Sequence, residues 1–285
     1  MGIIIGGGDM KHLIRLGDYS KENISEIFHI ADKIQQGGYK NYLQGKTVVL
    51  FFPSGSIRTR VTFEKGIHQL GGQSILFPMD TLNKKEKIED VIGYLNNWAD
   101  CIVVRHNNIE LIEEMAPYAK IPIINAMTDI NHPCEVLSDL YALSKIRGDY
   151  LKAKYLFVGA KANIGLAWKE ASELLGLSLV QSCPMGYEME DVKVEYDISK
   201  AIIGKDIILT DSLGKDELVD FKDYGVTKAL LDKANENALL NPCPPFYRGE
   251  GISEDAIESD YFVGYEFKKA LLQVQQAIII FNLMN

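Results

Sequence analysis

Few cysteines occur in this chain, and their spacing provides no framework for a disulfide-stabilised fold. The four cysteines are Cys101, Cys134, Cys183 and Cys243, and no two of them form a Cys-x-x-Cys pair. A structural zinc site is not expected either, because the cysteines and histidines do not have the spacing of a zinc knuckle. Free cysteines are typical of a reducing compartment, so we predict a cytoplasmic protein with no metal and no cofactor.

Long apolar segments are missing as well. No apolar run is longer than that at residues 277–281, which is far short of the ~20 residues that a membrane-spanning helix needs. Residues 1–8 have neither a basic segment nor a cleavage pattern, so we predict no signal peptide. We therefore expect no membrane partner.

The sequence also lacks an excess of positive charge and a dinucleotide-binding fingerprint. A net charge of −9 argues against a nucleic acid as the main partner, although a small anion needs only a few local cations. Residues 159–165 follow a predicted strand but lack the middle glycine that admits a pyrophosphate. A nucleotide-binding dehydrogenase is therefore not predicted.

What the chain does contain is a regular alternation of short β-branched runs and amphipathic stretches. This pattern predicts an α/β fold of two doubly wound parallel-sheet lobes. Strands are expected at residues 47–52, 74–77, 101–104 and 121–124 and, after a helix at 133–146, at 155–158, 177–180 and 206–210. We predict one domain over residues 1–146 and a second over 147–264, with the C-terminal helix, 265–285, packing back on the first lobe.

An anion site is predicted where the first strand ends. Ser56, Ile57, Arg58 and Thr59 open a helix there, and Arg60 follows. Backbone N–H groups at a helix start favour an anion, and a guanidinium can bind two of its oxygens at once. A serine helix cap beside two solvated arginines is the alternative, and this motif alone does not decide between them.

Two further strand ends favour the anion site. The strand at 101–104 runs into Arg105 and His106, and the strand at 121–124 leads to His132 and Glu135 at a helix start. Ligands of parallel sheets bind at the carboxyl ends of the strands. His132 is better placed to contact a ligand than His106, for which a structural role is the alternative.

This ordered set of residues resembles the aspartate/ornithine carbamoyltransferases. The similarity covers nearly the whole chain from about Lys11 and is strongest over residues 47–145. It implies transfer of the carbamoyl group of carbamoyl phosphate to a small amine, with ornithine as the leading acceptor. It also implies a homotrimer, or a multiple of one, in which residues 84–90 of a neighbouring subunit approach the site and make Lys85 a candidate.

The resemblance implies roles for residues of the first lobe. The phosphate of carbamoyl phosphate would be held by Ser56, Arg58, Thr59 and the N–H group of Ile57. Arg105 would bridge the phosphate and the carbonyl oxygen, and His132 would donate to that oxygen. Glu135 would contact the carbamoyl NH2 group. No nucleophile on the protein is required, because the acceptor amine attacks the carbonyl carbon itself.

The second lobe is expected to bind the acceptor. Asn163 matches the acceptor-binding asparagine of the ornithine enzymes, and residues 210–214 resemble their Thr-Asp…Ser-Met-Gly segment. The resemblance thus implies acceptor-binding roles for Asp211, Ser212 and Leu213. Cys243 falls on the family cysteine, which implies a role for it in catalysis and in acceptor binding. We also predict a cis peptide before Pro245.

Four departures from the family pattern leave the acceptor open. Ile57 replaces a threonine, Glu135 replaces a glutamine, Lys269 is the substitute for a family arginine, and the loop at residues 211–214 is short. Acceptors other than ornithine are therefore alternatives, namely putrescine, an N-acylornithine, diaminopropionate or oxamate. A non-catalytic paralogue that only binds carbamoyl phosphate is the alternative from another class.

Overall fold

The computed structural model of the protein describes residues 12–285, so the prediction made for residues 1–8 lies outside the described part. The described chain divides into two compact units. The first comprises the residues up to Tyr141 together with Lys269–Asn285, and the second is Ala142–Lys268. Each unit contains its own parallel sheet, which confirms the predicted fold class.

A four-stranded parallel sheet forms the first unit. Its order is β2-β1-β3-β4, with β1 at Thr47–Phe52, β2 at Gln73–Pro78, β3 at Cys101–Arg105 and β4 at Ile123–Met127. The helices are α1 (Lys21–Gln35), α2 (Arg58–Gln69), α3 (Ile88–Leu95), α4 (Ile109–Met115), α5 (Pro133–Ile146, which continues into the second unit) and α12 (Ala270–Met284). Strands β1 and β3 are nearly continuous buried apolar runs, as expected where helices cover both faces of a sheet.

Strand β4 begins two residues later than the sequence pattern predicts. Pro122 has no N–H group to donate to the ladder, and its carbonyl accepts from Ile102 N at 2.9 Å. At its other end the strand extends to Met127, so Asn125 lies inside it rather than after it.

Helix α12 packs against α1 and α2 of the first unit, as predicted for the last helix. Its start differs from the prediction, because Gly264–Phe267 forms a separate short helix, α11. Between the two helices, Lys268 N donates to Tyr265 O and Leu272 N donates to Lys269 O. These bonds span three residues instead of four, so the chain tightens and the long helix restarts at Ala270.

The second unit contains a five-stranded parallel sheet of order β7-β6-β5-β8-β9. The strands are β5 (Lys154–Val158), β6 (Ser178–Ser182), β7 (Lys193–Val194), β8 (Ile207–Thr210) and β9 (Leu239–Pro242), and β10 (Tyr247–Arg248) pairs separately with β11 (Gly251–Ile252). The helices are α6 (Asn163–Leu175), α7 (Ile198–Ala201), α8 (Glu217–Asp220), α9 (Lys228–Leu231) and α10 (Glu254–Ile257). Within residues 12–285, no helix is long and apolar enough to cross a membrane.

The contact between α6 and β5 gives a stability prediction. A methyl group built on Gly165 would lie 2.7 Å from Phe157 Cε1 and 3.2 Å from Met189 Sδ. Because Phe157 is fully buried, its ring has little room to move away. We expect Gly165→Ala to lower the free energy of unfolding by about 1–3 kcal/mol, measured by urea denaturation.

Gly93 in α3 provides the matched control. A methyl group built there meets nothing within 4 Å, so Gly93→Ala should raise the free energy of unfolding by about 0.5–1 kcal/mol through helix propensity. Similar effects of the two substitutions would show that the Phe157 contact is not what requires glycine at position 165.

Candidate functional site

The carboxyl ends of β1 and β3 bring three predicted residues together. Arg105 Nη1 donates to Ser56 Oγ at 3.1 Å and to Thr59 Oγ1 at 3.2 Å. Ser56 and Thr59 are both buried. Since each hydroxyl accepts from the guanidinium, its own proton stays available to donate to an anion.

The start of α2 adds backbone donors to this cluster. The helix begins at Arg58, so the residue at the cap position is Ile57 and not a serine. No side chain caps the first turn, and the turn contains no acidic residue. The alternative in which a serine caps the helix is therefore wrong. The positive end of the helix dipole and the N–H groups of the first turn favour an anion beside Ser56.

The two arginines of this turn differ in what they bind. Arg60 Nε donates to Glu64 Oε1 at 2.6 Å, an ion pair across one helical turn. Arg58 is exposed at the helix start. The Ile57 side chain is 71% exposed, so only its backbone contributes to the anion site. Arg58 is consequently the cation of this turn that a phosphate could recruit.

His106 has the structural role that the sequence left open. Asn108 N donates to His106 Nδ1 at 3.0 Å, and His106 Nε2 lies 3.0 Å from Asn83 Oδ1. This buried imidazole joins the end of β3 to the 3-10 helix Met79–Asn83, just before the segment that contains Lys85.

The end of β4 positions His132 and Glu135. Asn131 O accepts from Thr128 N at 2.8 Å and closes a turn, after which His132 directly precedes α5. Both His132 and Glu135 are buried, with 6% and 4% of their surface exposed. The register between β3 and β4 shifts just before this turn, because Val104 pairs with Asn125 and Arg105 with Met127, which leaves Ala126 of β4 as the bulge residue.

Lys85 and Lys269 are exposed. Lys85 follows the 3-10 helix that bonds to His106, and Lys269 precedes α12. Their assignment to the site stays a prediction.

In the second unit, the ends of β5, β8 and β9 lie side by side. Cys243 N donates to Thr210 O at 2.9 Å, which fixes Cys243 beside the end of β8. A methyl group built on Gly159 would lie 3.8 Å from Asp211 Cβ, so the ends of β5 and β8 are in contact. Asn163 follows β5 as the first residue of α6. The three predicted acceptor-binding positions, Asn163, Asp211 and Cys243, therefore follow three adjacent strands.

The loop at residues 211–214, which we call the acceptor loop, is held by the carboxylates of Asp211 and of Glu217 in α8. Ser212 N donates to Asp211 Oδ1 at 2.8 Å, and Gly214 N donates to Glu217 Oε2 at 2.6 Å. Leu213 packs against a small buried cluster that contains Ala160, Cys183 and Phe221. Burial raises the pKa of Asp211 to about 6, the Ser212 bond opposes that shift, and the nearby Glu217 carboxylate adds to it.

One supporting residue gave no sequence signal. Gln181 in β6 is fully buried and donates from Nε2 to Gly159 O and Tyr187 O, both at 2.9 Å. Its Oε1 accepts from Met189 N at 2.7 Å. These bonds fix the turn after β5, but a single glutamine in a strand pattern does not reveal which backbone groups it binds, and Gly159 lies 22 positions away.

The segment after β9 agrees with a further expectation. The Pro244–Pro245 peptide is cis, as predicted, and Cys243 is buried with 8% of its surface exposed. No group of three or more metal-binding side chains is found among residues 12–285.

Comparisons with known proteins match both units to one family. Residues 11–145 match the family described as "Aspartate/ornithine carbamoyltransferase, carbamoyl-P binding domain", and residues 152–282 match its "Asp/Orn binding domain". An ornithine carbamoyltransferase of Desulfotalea psychrophila is 32% identical over 94% of this chain and 97% of its own length. The structure of ornithine carbamoyltransferase from Pyrococcus furiosus has a TM-score of 0.89 at 27% identity, covering 96% of this chain and 97% of its own. An acetylornithine transcarbamylase complexed with acetylcitrulline shares the fold, with a TM-score of 0.84 at 22% identity over 96% of this chain and 99% of its own.

Proposed function

Because this chain belongs to the aspartate/ornithine carbamoyltransferase family and is a carbamoyltransferase, we propose that its acceptor is the side-chain amine of ornithine. The products are then citrulline and phosphate. We assign carbamoyl phosphate to the domain formed by residues 1–146 and 265–285, and the acceptor to residues 147–264. The observation that carries carbamoyl phosphate binding is the bonding of one guanidinium, Arg105, to the hydroxyls of both Ser56 and Thr59. Binding of ornithine is supported by the curated relatives of this chain and by the three adjacent strand ends of the second unit.

The phosphate half of the site follows from that cluster. Ser56 and Thr59 donate their hydroxyl protons to phosphate oxygens, the Ile57 N–H group donates at the helix start, and Arg58 adds a bidentate cation. Arg105 bridges the phosphate and the carbonyl oxygen. His132 donates to the same carbonyl oxygen, and Glu135 accepts from the carbamoyl NH2 group.

The reaction depends on positioning and charge stabilisation. The neutral amine nitrogen attacks the carbonyl carbon, the bond from that carbon to the phosphate oxygen breaks, and the phosphate leaves with the electron pair and a proton. Negative charge grows on the carbonyl oxygen, where Arg105 and His132 stabilise it. Losing one such preorganised donor typically lowers the rate by ~10²–10³-fold.

The acceptor half is proposed at the three adjacent strand ends of the second unit. Asp211 binds the ammonium group next to the carboxylate of ornithine. Asn163, with Ser212 and Leu213 of the acceptor loop, binds the rest of the amino-acid group. Cys243 contacts the reacting side-chain amine, and its burial beside Thr210 supports that position.

An acceptor panel tests the proposal. Purified protein is incubated with carbamoyl phosphate and one amine at a time, and released phosphate and the carbamoylated product are measured together. The panel contains ornithine, putrescine, N-acetylornithine, diaminopropionate, aspartate and oxamate. We expect the highest kcat/KM with ornithine. Preference for another amine would reassign the acceptor, and binding of carbamoyl phosphate without turnover of any amine would favour a non-catalytic paralogue.

A homotrimer is proposed on the basis of an apolar face in the first unit. Strand β2 is an edge strand, and Phe77, Tyr94 and Trp98 are 37%, 59% and 70% exposed. They line an open cavity of about 390 Å³ together with residues 84 and 86, which flank Lys85. A second copy that covers this face would be brought next to the Lys85 segment. Sedimentation equilibrium should give the mass of a trimer or a multiple of it, and a monomeric mass would reject the assembly.

A cytoplasmic location is proposed from the thiols. Cys101, Cys134, Cys183 and Cys243 are all free and buried. Proteins of oxidising compartments tend to use their cysteines in disulfides, so this state supports a reducing environment.

A further inference from the structure

Gln181 lies in β6, next to the point where the ladder between β5 and β6 ends. The last pair of that ladder is Val158 with Ser182. Beyond it the two chains separate, and Gly159 N reaches Ser182 O only at 3.4 Å. The turn after β5, residues 159–162, is therefore only weakly bonded to the backbone of β6 itself.

The side chain of Gln181 bridges this gap with three hydrogen bonds. Its Nε2 donates to Gly159 O and to Tyr187 O, both at 2.9 Å, and its Oε1 accepts from Met189 N at 2.7 Å. Gln181 is fully buried, and Gly159 and Met189 are buried as well, so water does not take the place of the amide. Removing the amide would leave these buried backbone groups without that partner, which is costly.

The same bonds hold the start of helix α6. Lys161 N donates to Tyr187 O at 3.0 Å, so the carbonyl group that Gln181 binds also binds the turn. Asn163 is the first residue of α6, and Ala162 before it provides no side-chain cap. The position of Asn163 therefore depends on the turn, and the turn depends on Gln181.

The segment after β6 is a firm anchor for these bonds. Tyr187 Oη donates to Asp220 Oδ2 at 2.6 Å, which ties the segment to α8. A methyl group built on Gly165 would lie 3.2 Å from Met189 Sδ, so the segment also packs against α6. Its contacts with two helices leave the segment little freedom to follow the turn if the amide is lost.

We propose that Gln181 is a positioning residue of the acceptor site, whose buried amide fixes the turn after β5 and so holds Asn163 where it binds the acceptor. The inference rests on the proposed carbamoyl transfer and on the acceptor role proposed for Asn163, and it deepens both. Loss of the amide should weaken the use of the acceptor alone, because the proposed ligands of carbamoyl phosphate all belong to the other unit.

Two substitutions of Gln181 separate the hydrogen bonds. Gln181→Met has a side chain of similar length and removes all three bonds. Gln181→Glu keeps an oxygen that accepts from Met189 N but removes the NH2 group that donates to Gly159 O and Tyr187 O.

Asn235→Leu is the matched control. The Asn235 amide also braces the second unit, because its Nδ2 donates to Gly204 O at 3.1 Å and to Asp206 Oδ1 at 2.9 Å. These groups precede β8, so they lie at the amino ends of the strands, opposite the proposed acceptor site. Removing this amide should destabilise the same unit without disturbing Asn163.

Steady-state kinetics and urea denaturation are measured for each protein. Gln181→Met should lower kcat/KM for ornithine about tenfold, because small displacements of a positioning group have large effects on rate. Gln181→Glu should lower it in the same direction. The KM for carbamoyl phosphate should stay within about twofold in every variant, and Asn235→Leu should lose stability while its kcat/KM for ornithine stays within about twofold of wild type.

The Asn163→Ala background tests whether Gln181 acts through Asn163. Each Gln181 substitution should add less than about twofold to the loss that Asn163→Ala causes alone, because the two residues then belong to one coupled unit. A full additional loss in that background would overturn the inference. Wild-type kinetics in both Gln181 variants, or an equal loss of kcat/KM in Asn235→Leu, would overturn it too. If Gln181→Met does not fold, Gln181→Glu decides the same comparison.

These measurements distinguish failure of the inference from failure of the proposed function. Wild-type protein that forms no citrulline contradicts the proposed function and the inference together. Wild-type kinetics in Asn163→Ala contradict the acceptor role of Asn163 and, with it, the inference. A loss in Asn163→Ala with none in either Gln181 variant contradicts only the role of Gln181.

Discussion

Replacing Arg105 with alanine is expected to lower kcat/KM for carbamoyl phosphate about a thousandfold. The substitution removes the guanidinium that bonds to Ser56 and Thr59 and leaves both buried hydroxyls without that donor. In the proposed mechanism it also removes the positive charge assigned to the carbonyl oxygen, where loss of one donor alone costs ~10²–10³-fold in rate. Steady-state kinetics with ornithine at saturation measure the effect.

Arg60 provides the matched control for this substitution. It lies on the first turn of α2, in the same unit, but it pairs with Glu64 on the helix surface. Both side chains of that pair are more than one third exposed, so removing Arg60 should change little. A kcat/KM within about threefold of wild type is expected for Arg60→Ala. Equal losses in Arg60→Ala and Arg105→Ala would mean that general positive charge, and not the Arg105 cluster, holds the substrate.

Asp211→Asn is expected to weaken the acceptor site and stabilise the fold. The asparagine retains an oxygen but loses the charge that we propose binds the ammonium group of ornithine. Hydrogen bonds to charged groups contribute about 1.5–3 kcal/mol, so the KM for ornithine should rise roughly 10- to 100-fold. The KM for carbamoyl phosphate should not change, because its proposed ligands all belong to the other unit.

The gain in stability follows from the titration of Asp211. An unfolded aspartate titrates near 3.9, whereas burial raises the pKa of Asp211 to about 6 in the folded chain. Between about pH 4 and 6 the folded state holds a proton that the unfolded state has lost, so stability decreases as the pH rises through this window. Above about pH 6 the buried ionised carboxylate lowers the free energy of unfolding by a constant amount, and an asparagine avoids this loss.

Urea denaturation at several pH values measures this effect. At pH 7.5, Asp211→Asn should raise the free energy of unfolding by about 1–2 kcal/mol, and the gain should vanish below about pH 4. Asp223→Asn replaces an exposed aspartate of the same unit and should show no pH-dependent gain. An Asp211→Asn variant less stable than wild type at pH 7.5 would contradict the proposed cost of ionising Asp211.

Elements with a strong local pattern were predictable from the sequence. β1 at Thr47–Phe52 and α5 at Pro133–Ile146 occur where they were predicted. A run of β-branched and aromatic residues, and a proline at the first helical position, are sufficient signals in those two cases. Strand β9, Leu239–Pro242, was not predicted, because it is short and contains asparagine and proline.

The break before α12 was missed for a different reason. The apolar run at the centre of α12 continues a helical pattern on both sides. The two residues between α11 and α12 are Lys268 and Lys269, so no glycine or proline marks the boundary. What ends α11 is a local change to bonds that span three residues, which the side-chain pattern does not indicate.

From the sequence it was possible to predict which strand ends carry the residues of the candidate site, but not the hydrogen bonds that position them. The order of the polar residues along the chain placed Ser56, Arg105 and His132 at one edge of a sheet, and the structure brings Arg105 to Ser56. The structural role of His106 depends on Asn83, and the turn after β5 depends on Gln181. Each of these bonds joins residues about 20 positions apart, so neither local spacing nor periodicity could indicate them.

The most direct test of carbamoyl transfer follows the carbamoyl carbon itself. Protein is incubated with ornithine and carbamoyl phosphate labelled with ¹³C, and the products are resolved by NMR or mass spectrometry. The label should appear in the ureido carbon of citrulline, with one phosphate released per citrulline, in wild-type protein and in Arg60→Ala. In Arg105→Ala nearly all of the labelled citrulline should be lost. Phosphate release without label in citrulline would contradict the account, provided that repeating the incubation with each other amine of the panel also gives no labelled product.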